Sequence, residues 1–256
     1  MSGTVSDFKL ELPAGKAFYR DSGGDGTAVL FLHAASGNSM LWDHQSSAIT
    51  AAGFRFLALD HRAAMRGSNS SALIGQLLDK LGIDRCHLLG TAAGGGAALQ
   101  FALEHPQKLR SLIICNSIGF VVDREYLEMS SRIRPVPKFN ELPLEFRELG
   151  PSYRAAAPKG VAQWLALSGK GQQSAGAKVV AGDNAEVTWA KLESLKIPTL
   201  LLTGDADLYT PPSVLRMFLQ RMPHAESAVI AETGHSSYWE NPAAFNAAAL
   251  AFLHKH

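Results

Sequence analysis

The chain has 256 residues, 46% of them hydrophobic and 18% charged, and a net charge of +1. This balance describes a single domain with enough apolar residues for a sizeable core, and gives no electrostatic reason to expect nucleic acid or an anionic membrane as a partner. No apolar run approaches the ~20 residues that span a bilayer. Met1 to Leu12 lacks a signal-peptide core, and the two cysteines, Cys86 and Cys115, sit in separate apolar runs, so the expectation is a reduced, cytoplasmic protein.

In chain order, Phe8–Leu12 and Lys16–Arg20 alternate like a hairpin turned at Pro13-Ala14-Gly15. Ala28–Leu32 and Phe54–Leu59 are continuous apolar runs, the pattern of parallel strands covered on both faces. Helices are predicted over Met40–Ala52, closed by Gly53, and over Ala72–Leu81, closed by Gly82. Cys86–Gly90 reads as a strand, followed by a small-residue turn and an Ala/Leu-rich helix that ends near His105-Pro106. Leu112–Cys115 is another central strand. Strands alternating with helices imply right-handed crossovers and a doubly wound sheet.

Composition shifts after Ser117. From Gly119 to about Ser194 no buried strand is legible, and short helices are predicted instead at Arg124–Ile133, Leu144–Leu149 and Val161–Leu167, punctuated by prolines. Lys170–Gly182, rich in Gly, Gln and Ser, reads as a mobile loop. The expected organisation is a core of residues 1–118 and 195–256 with a helical cap, 119–194, inserted over the carboxyl ends of the strands. A helical elaboration with no binding role is the alternative. Strands then return at Leu200–Thr203 and Ser227–Ala231, with helix starts at Pro211-Pro212 and Asn241-Pro242.

The chemistry-bearing residues sit where strands end. After Cys86–Gly90 comes Gly90-Thr91-Ala92-Ala93-Gly94, which has the layout of a nucleophile elbow, Gly-x-Ser-x-Gly, with alanine in place of serine. An acidic turn, Gly204-Asp205-Ala206-Asp207-Leu208-Tyr209-Thr210-Pro211, follows one late strand, and Glu232-Thr233-Gly234-His235 follows the next. The order is nucleophile position, acid, histidine. A histidine in such a turn can act as general base, with a carboxylate fixing its tautomer. The glycine run Gly94-Gly95-Gly96 fits close helix–strand packing better than phosphate binding, since no Lys-Ser/Thr follows it. No Cys/His/Asp cluster has metal-ligand spacing.

From about Phe8 onward the chain resembles the α/β-hydrolase superfamily. Phe31-Leu32-His33-Ala34-Ala35-Ser36 looks like the oxyanion loop after the third strand, and Leu59-Asp60-His61-Arg62 like the start of the family's Asp-x-Arg-Gly-x-Gly turn. The resemblance implies an eight-stranded, mostly parallel sheet with helices on both faces and a helical cap. It implies Asp207, which has Pro211 four residues later, as partner of His235 in preference to Asp205. Backbone N–H groups of Ala34 (or Ala35) and Ala93 would form an oxyanion hole, and His33, Tyr209 and Ser236 would line the substrate site. Ala92 departs from the pattern at the nucleophile and Ala34 at the oxyanion-loop glycine, while Ala63 and Met65 depart at two glycines of the turn after Asp60.

Three functional expectations stay open at this stage. One is a serine hydrolase disarmed at Ala92 that would otherwise act on a small apolar ester, lactone or diketone. Another is an enzyme that naturally lacks the serine and uses the His–Asp pair for proton abstraction, lyase chemistry, C–C cleavage or direct water attack. The third is a non-catalytic binder of small molecules. None calls for a cofactor or metal. A small-molecule substrate is the expected partner, and a monomer or homodimer the expected state.

Overall fold

The computed structural model describes residues 4–60, 70–117, 121, 123–172 and 187–256. The turn from His61 to Asn69, and the Gly/Gln/Ser-rich stretch beyond Gln172, lie outside the described residues. Eight strands are present: β1 (Ser6–Leu12), β2 (Gly15–Asp21), β3 (Ala28–Leu32), β4 (Arg55–Asp60), β5 (Cys86–Thr91), β6 (Leu109–Cys115), β7 (Thr199–Gly204) and β8 (Glu226–Ile230). They form one sheet in the order β1-β2-β4-β3-β5-β6-β7-β8. Pairing is antiparallel for β1 with β2 and β2 with β4, and parallel for the rest.

The side-chain period of two explains why the central strands read as unbroken apolar runs. Leu30, Leu32, Leu57, Leu59, Leu88, Leu112, Ile114 and Leu201 belong to one buried layer. Their neighbours Val29, Phe31, Phe56, Ala58, Leu89, Ile113, Cys115, Leu200 and Leu202 belong to the other. Helices cover the first layer with α2 (Ser70–Lys80), α3 (Ala93–Glu104) and α10 (Pro212–Arg221), and the second with α1 (Asp43–Ala51) and α12 (Pro242–Leu253). Both cysteines are free and buried, and burial pushes the Cys86 thiol up to about 12.

Between β6 and β7 the described residues carry only helices: α4 (Arg124–Ile133), α5 (Lys138–Glu141), α6 (Leu144–Glu148), α7 (Pro151–Ala156), α8 (Pro158–Gln172) and α9 (Trp189–Ser194). The boundaries of α4 match expectation, and α8 is longer at both ends than Val161–Leu167. Helices α5, α7, α9 and α11 (Ser237–Glu240) are too short for an apolar period to show in the sequence. Hydrogen bonds tie the inserted helices to the sheet-bearing part of the chain, among them Asn38 Nδ2 to the Leu167 carbonyl (2.9 Å), Trp239 Nε1 to the Gly160 carbonyl (3.3 Å), and the His235 N–H to the Glu148 carbonyl (2.8 Å). Among the described residues no helix is long and apolar enough to cross a membrane.

Candidate active site

Strand β5 ends at Thr91 and α3 begins at Ala93, so the chain reverses at Ala92 alone, with φ 50° and ψ −117°. This conformation costs a non-glycine residue on the order of 1–3 kcal/mol, and it persists only where the surroundings over-determine it. Here the Ala92 N–H donates to the Cys115 carbonyl at 3.0 Å, and the Ala92 carbonyl accepts from Ser117 Oγ at 2.7 Å. The glycines on either side have a steric reason. A Cβ on Gly90 would strike the Gly94 backbone, and one on Gly94 would strike the Leu32 and His33 carbonyls. The first turn of α3 therefore lies directly on the end of β3. Ala93, as first residue of α3, has an N–H with no partner one turn back in the helix. It sits at the positive end of the helix dipole, one residue before the Gly94 that packs on the Leu32 and His33 carbonyls. Thr91, the last residue of β5, is fully buried.

The acid and the histidine come together. His235 Nδ1 lies 2.9 Å from both carboxylate oxygens of Asp207, and both residues are buried. A carboxylate only accepts, so Nδ1 carries the proton and Nε2 is the basic nitrogen. Asp207 also accepts from the N–H groups of Tyr209 (2.7 Å) and Thr210 (3.1 Å), from Thr210 Oγ1 (2.6 Å) and from Asn116 Nδ2 (3.0 Å). Burial alone would raise this carboxyl, but the charge and hydrogen bond of His235, with those of Thr210 and Asn116, hold it well below the ordinary carboxylate range. Burial works against protonation of His235, yet Asp207 outweighs it and the imidazole is more basic than usual. Asp205 is exposed, and its N–H donates to the Ile230 carbonyl.

Two short steps join Ala92 to this pair. Cys115 and Ser117 hold Ala92 from either side, and the residue between them, Asn116, donates to Asp207 and to the Gly234 carbonyl (3.3 Å). The Tyr209 ring lies tilted against His235 with centroids 4.4 Å apart and planes at 38°, and the Arg134 guanidinium lies 4.6 Å over the Tyr209 ring. His33 is buried, with Nδ1 2.7 Å from the Ala34 carbonyl and Nε2 3.2 Å from Asp60. Ser236 is also buried, and its N–H reaches Glu240 at 3.3 Å. These contacts engage His33 and the Ser236 backbone within the protein, whereas Tyr209 remains partly exposed beside the imidazole. Burial pushes the Glu148 carboxyl above its ordinary range, against the pull of His235.

Sequence reasoning assigned no role to Asn116 or Glu240. Asn116 has φ 48° and binds the acid, the histidine turn and Ser237 Oγ at once (2.8 Å in the last case). An asparagine directly after a central strand was the only available signal, and it becomes meaningful once β6 is known to lie between β5 and β7. Among the described residues no group of three His, Cys, Asp or Glu side chains could hold a metal ion.

The chain is similar over nearly its whole length to known hydrolases. RutD of Caulobacter sp. (strain K31), named for carbamate hydrolysis, is 27% identical over 98% of this chain and 97% of its own length. The 2-hydroxy-6-oxo-6-phenylhexa-2,4-dienoate hydrolase of Burkholderia cepacia is 24% identical over 97% of this chain and 92% of its own. Among solved structures, a thermophilic esterase from Thermogutta terrifontis superimposes with a TM-score of 0.79 at 22% identity, covering 98% of both chains. The enol-lactonase from Burkholderia xenovorans LB400 gives 0.75 at 20% identity, covering 96% of this chain and 99% of its own. Such likenesses in structure establish the fold, and the model of the alpha/beta hydrolase fold family matches residues 27–242, so this chain belongs to that family.

Proposed function

We propose that this site binds a small, moderately apolar carbonyl compound (an ester, lactone or diketone) and holds every element of serine-hydrolase chemistry except the alcohol. In this reading Asp207 orients and charges His235, His235 Nε2 is the base, and the Ala34 and Ala93 N–H groups receive the developing oxyanion. The helices between β6 and β7 form a cap that excludes water from the reacting carbonyl. With a methyl group at position 92 no acyl-enzyme forms, and a bound substrate stays intact.

The observation that carries this reading is the backbone of Ala92. The chain keeps a strained bend at a residue whose side chain has nothing to gain from it, joined through the Cys115–Ser117 segment to a hydrogen-bonded Asp–His pair. The relatives' names are in line with it, since they specify a carbamate, 2-hydroxy-6-oxo-dienoates and, for one solved structure, an enol-lactone. Ala92→Ser tests it directly. The variant should show burst-phase release from activated esters and covalent labelling by serine-directed phosphonates; absence of both would remove the reading.

A second reading is favoured by the same basic His235. With no alcohol in the way, the imidazole can deprotonate a water or a carbon acid while the oxyanion hole stabilises the product of that step. It requires turnover by the chain as it stands, lost on His235→Ala.

A further inference from the structure

Glu240 lies five residues beyond His235, on the short helix α11, and its side chain turns back under the histidine turn. One oxygen, Oε1, accepts from the Gly234 N–H at 2.9 Å and from the Ser236 N–H at 3.3 Å. The other, Oε2, accepts from the Gly234 N–H at 3.1 Å and from the Gly150 N–H at 2.7 Å. A single carboxylate thus binds the residues on both sides of His235 together with Gly150, the last residue of the turn between α6 and α7. The two backbones are in direct contact there. A Cβ built on Gly234 would stand 2.5 Å from the Gly150 nitrogen, and one on Gly150 would stand 2.9 Å from the Gly234 nitrogen. The His235 N–H completes the seam with its 2.8 Å bond to the Glu148 carbonyl.

We propose that Glu240 is a positioning residue: its carboxylate fastens the His235 turn to the Glu148–Gly150 segment, so that the placement of the imidazole against Asp207 and the seating of the inserted helices are set together. A carboxylate accepting several backbone N–H bonds is suited to this, because each bond is charge-assisted and directional. The bound nitrogens lie on either side of His235 in the chain, so a release at Gly234 and Ser236 frees the histidine backbone at both ends at once. Burial pushes the Glu240 carboxyl up to about 7, against the pull of the Gly234, Gly150 and Ser236 N–H groups. Only its role as holder of a catalytic base rests on the function proposed above; the coupling of the two turns does not.

The test therefore uses the chain as it stands and needs no turnover. In isotopically labelled protein the proton on His235 Nδ1, bonded to Asp207, gives a far-downfield NMR signal, assigned by its disappearance in His235→Ala. Glu240→Gln keeps the volume of the side chain but presents an amide to N–H groups that need acceptors. We expect it to retain the far-UV circular dichroism spectrum. We also expect exchange of the Gly150 and Gly234 amides to speed up at least about tenfold, with the His235 proton broadened beyond detection. Faster amides with an unchanged His235 signal would reduce Glu240 to a structural tie and overturn the inference, as would no change in either. Glu240→Asp, which keeps the charge but withdraws the oxygens by one methylene, gives the same reading if the glutamine variant does not fold. A loss of the His235 proton in a protein whose Ala92→Ser form never turns over would support this inference while defeating the proposed function.

Discussion

Asn116 and Asp207 are held 3.0 Å apart, amide nitrogen to carboxylate oxygen, and the asparagine sits in the left-handed region with φ 48°. This bond connects the end of β6 to the turn after β7, and the neighbours of Asn116 hold Ala92. Removing the amide leaves a buried carboxylate one donor short. We expect Asn116→Ala to cost about 2–3 kcal/mol from the lost charged hydrogen bond and the unsuited backbone. Asn116→Gly, free of the backbone penalty, should cost less. Urea unfolding of the two variants checks the order; a smaller loss for alanine than for glycine would contradict it.

The bend at Ala92 gives a prediction of the opposite sign. Glycine adopts φ 50°, ψ −117° without the clash of a β-carbon. Ala92→Gly should therefore raise stability by about 1 kcal/mol, net of the entropy glycine loses on folding. A lowered melting temperature would mean that the bend is not strained.

Asp207 is expected to matter through its charge and its orientation of His235 rather than through bulk. In the Ala92→Ser background, Asp207→Asn should lower kcat by roughly 10³–10⁴-fold, since the amide favours the wrong imidazole tautomer. A change of less than tenfold in steady-state assays would show that His235 does not depend on this partner.

The pH dependence follows from the two shifts. Asp207 is depressed, so its stabilisation is present above its ordinary pKa of 3.8 and is lost as pH falls through the native value. His235 is raised, so the stability it contributes is complete below its ordinary 6.5 and is lost as pH rises through the native value. A base must be unprotonated to act, so the acidic limb of kcat/KM in Ala92→Ser should have its midpoint above 6.5. A midpoint well below 6 in the rate profile would exclude His235 as that base.

The structure also separates what was legible from what was not. Ala28–Leu32 is a strand with the bounds its apolar run gives, because a strand buried on both faces needs every side chain apolar. Arg124–Ile133 shows its helical period for the related reason that one face packs and the other meets solvent. The elbow, the acidic turn and the histidine turn were legible because each follows a strand and is built from residue types that few other turns require. The short helices α5, α7, α9 and α11 were not, and neither were the roles of Asn116 and Glu240, which depend on partners distant in the chain: Asp207 lies 91 positions from Asn116, and Gly150 lies 90 from Glu240.

The sequence by itself determined the sheet, its alternation with helices, and the chain order of the bend, the acid and the histidine, because periodicity and turn chemistry are local and each residue carries its share of them. The tertiary structure alone decided that Asn116 links the acid to the residues bracketing Ala92 and that Glu240 binds two turns together, and it set Asp207, the acid already favoured over Asp205 by the resemblance, against His235. Those outcomes depend on strand order in the sheet, which brings the ends of β5, β6, β7 and β8 side by side. No local propensity encodes which polar groups then fall within hydrogen-bonding distance.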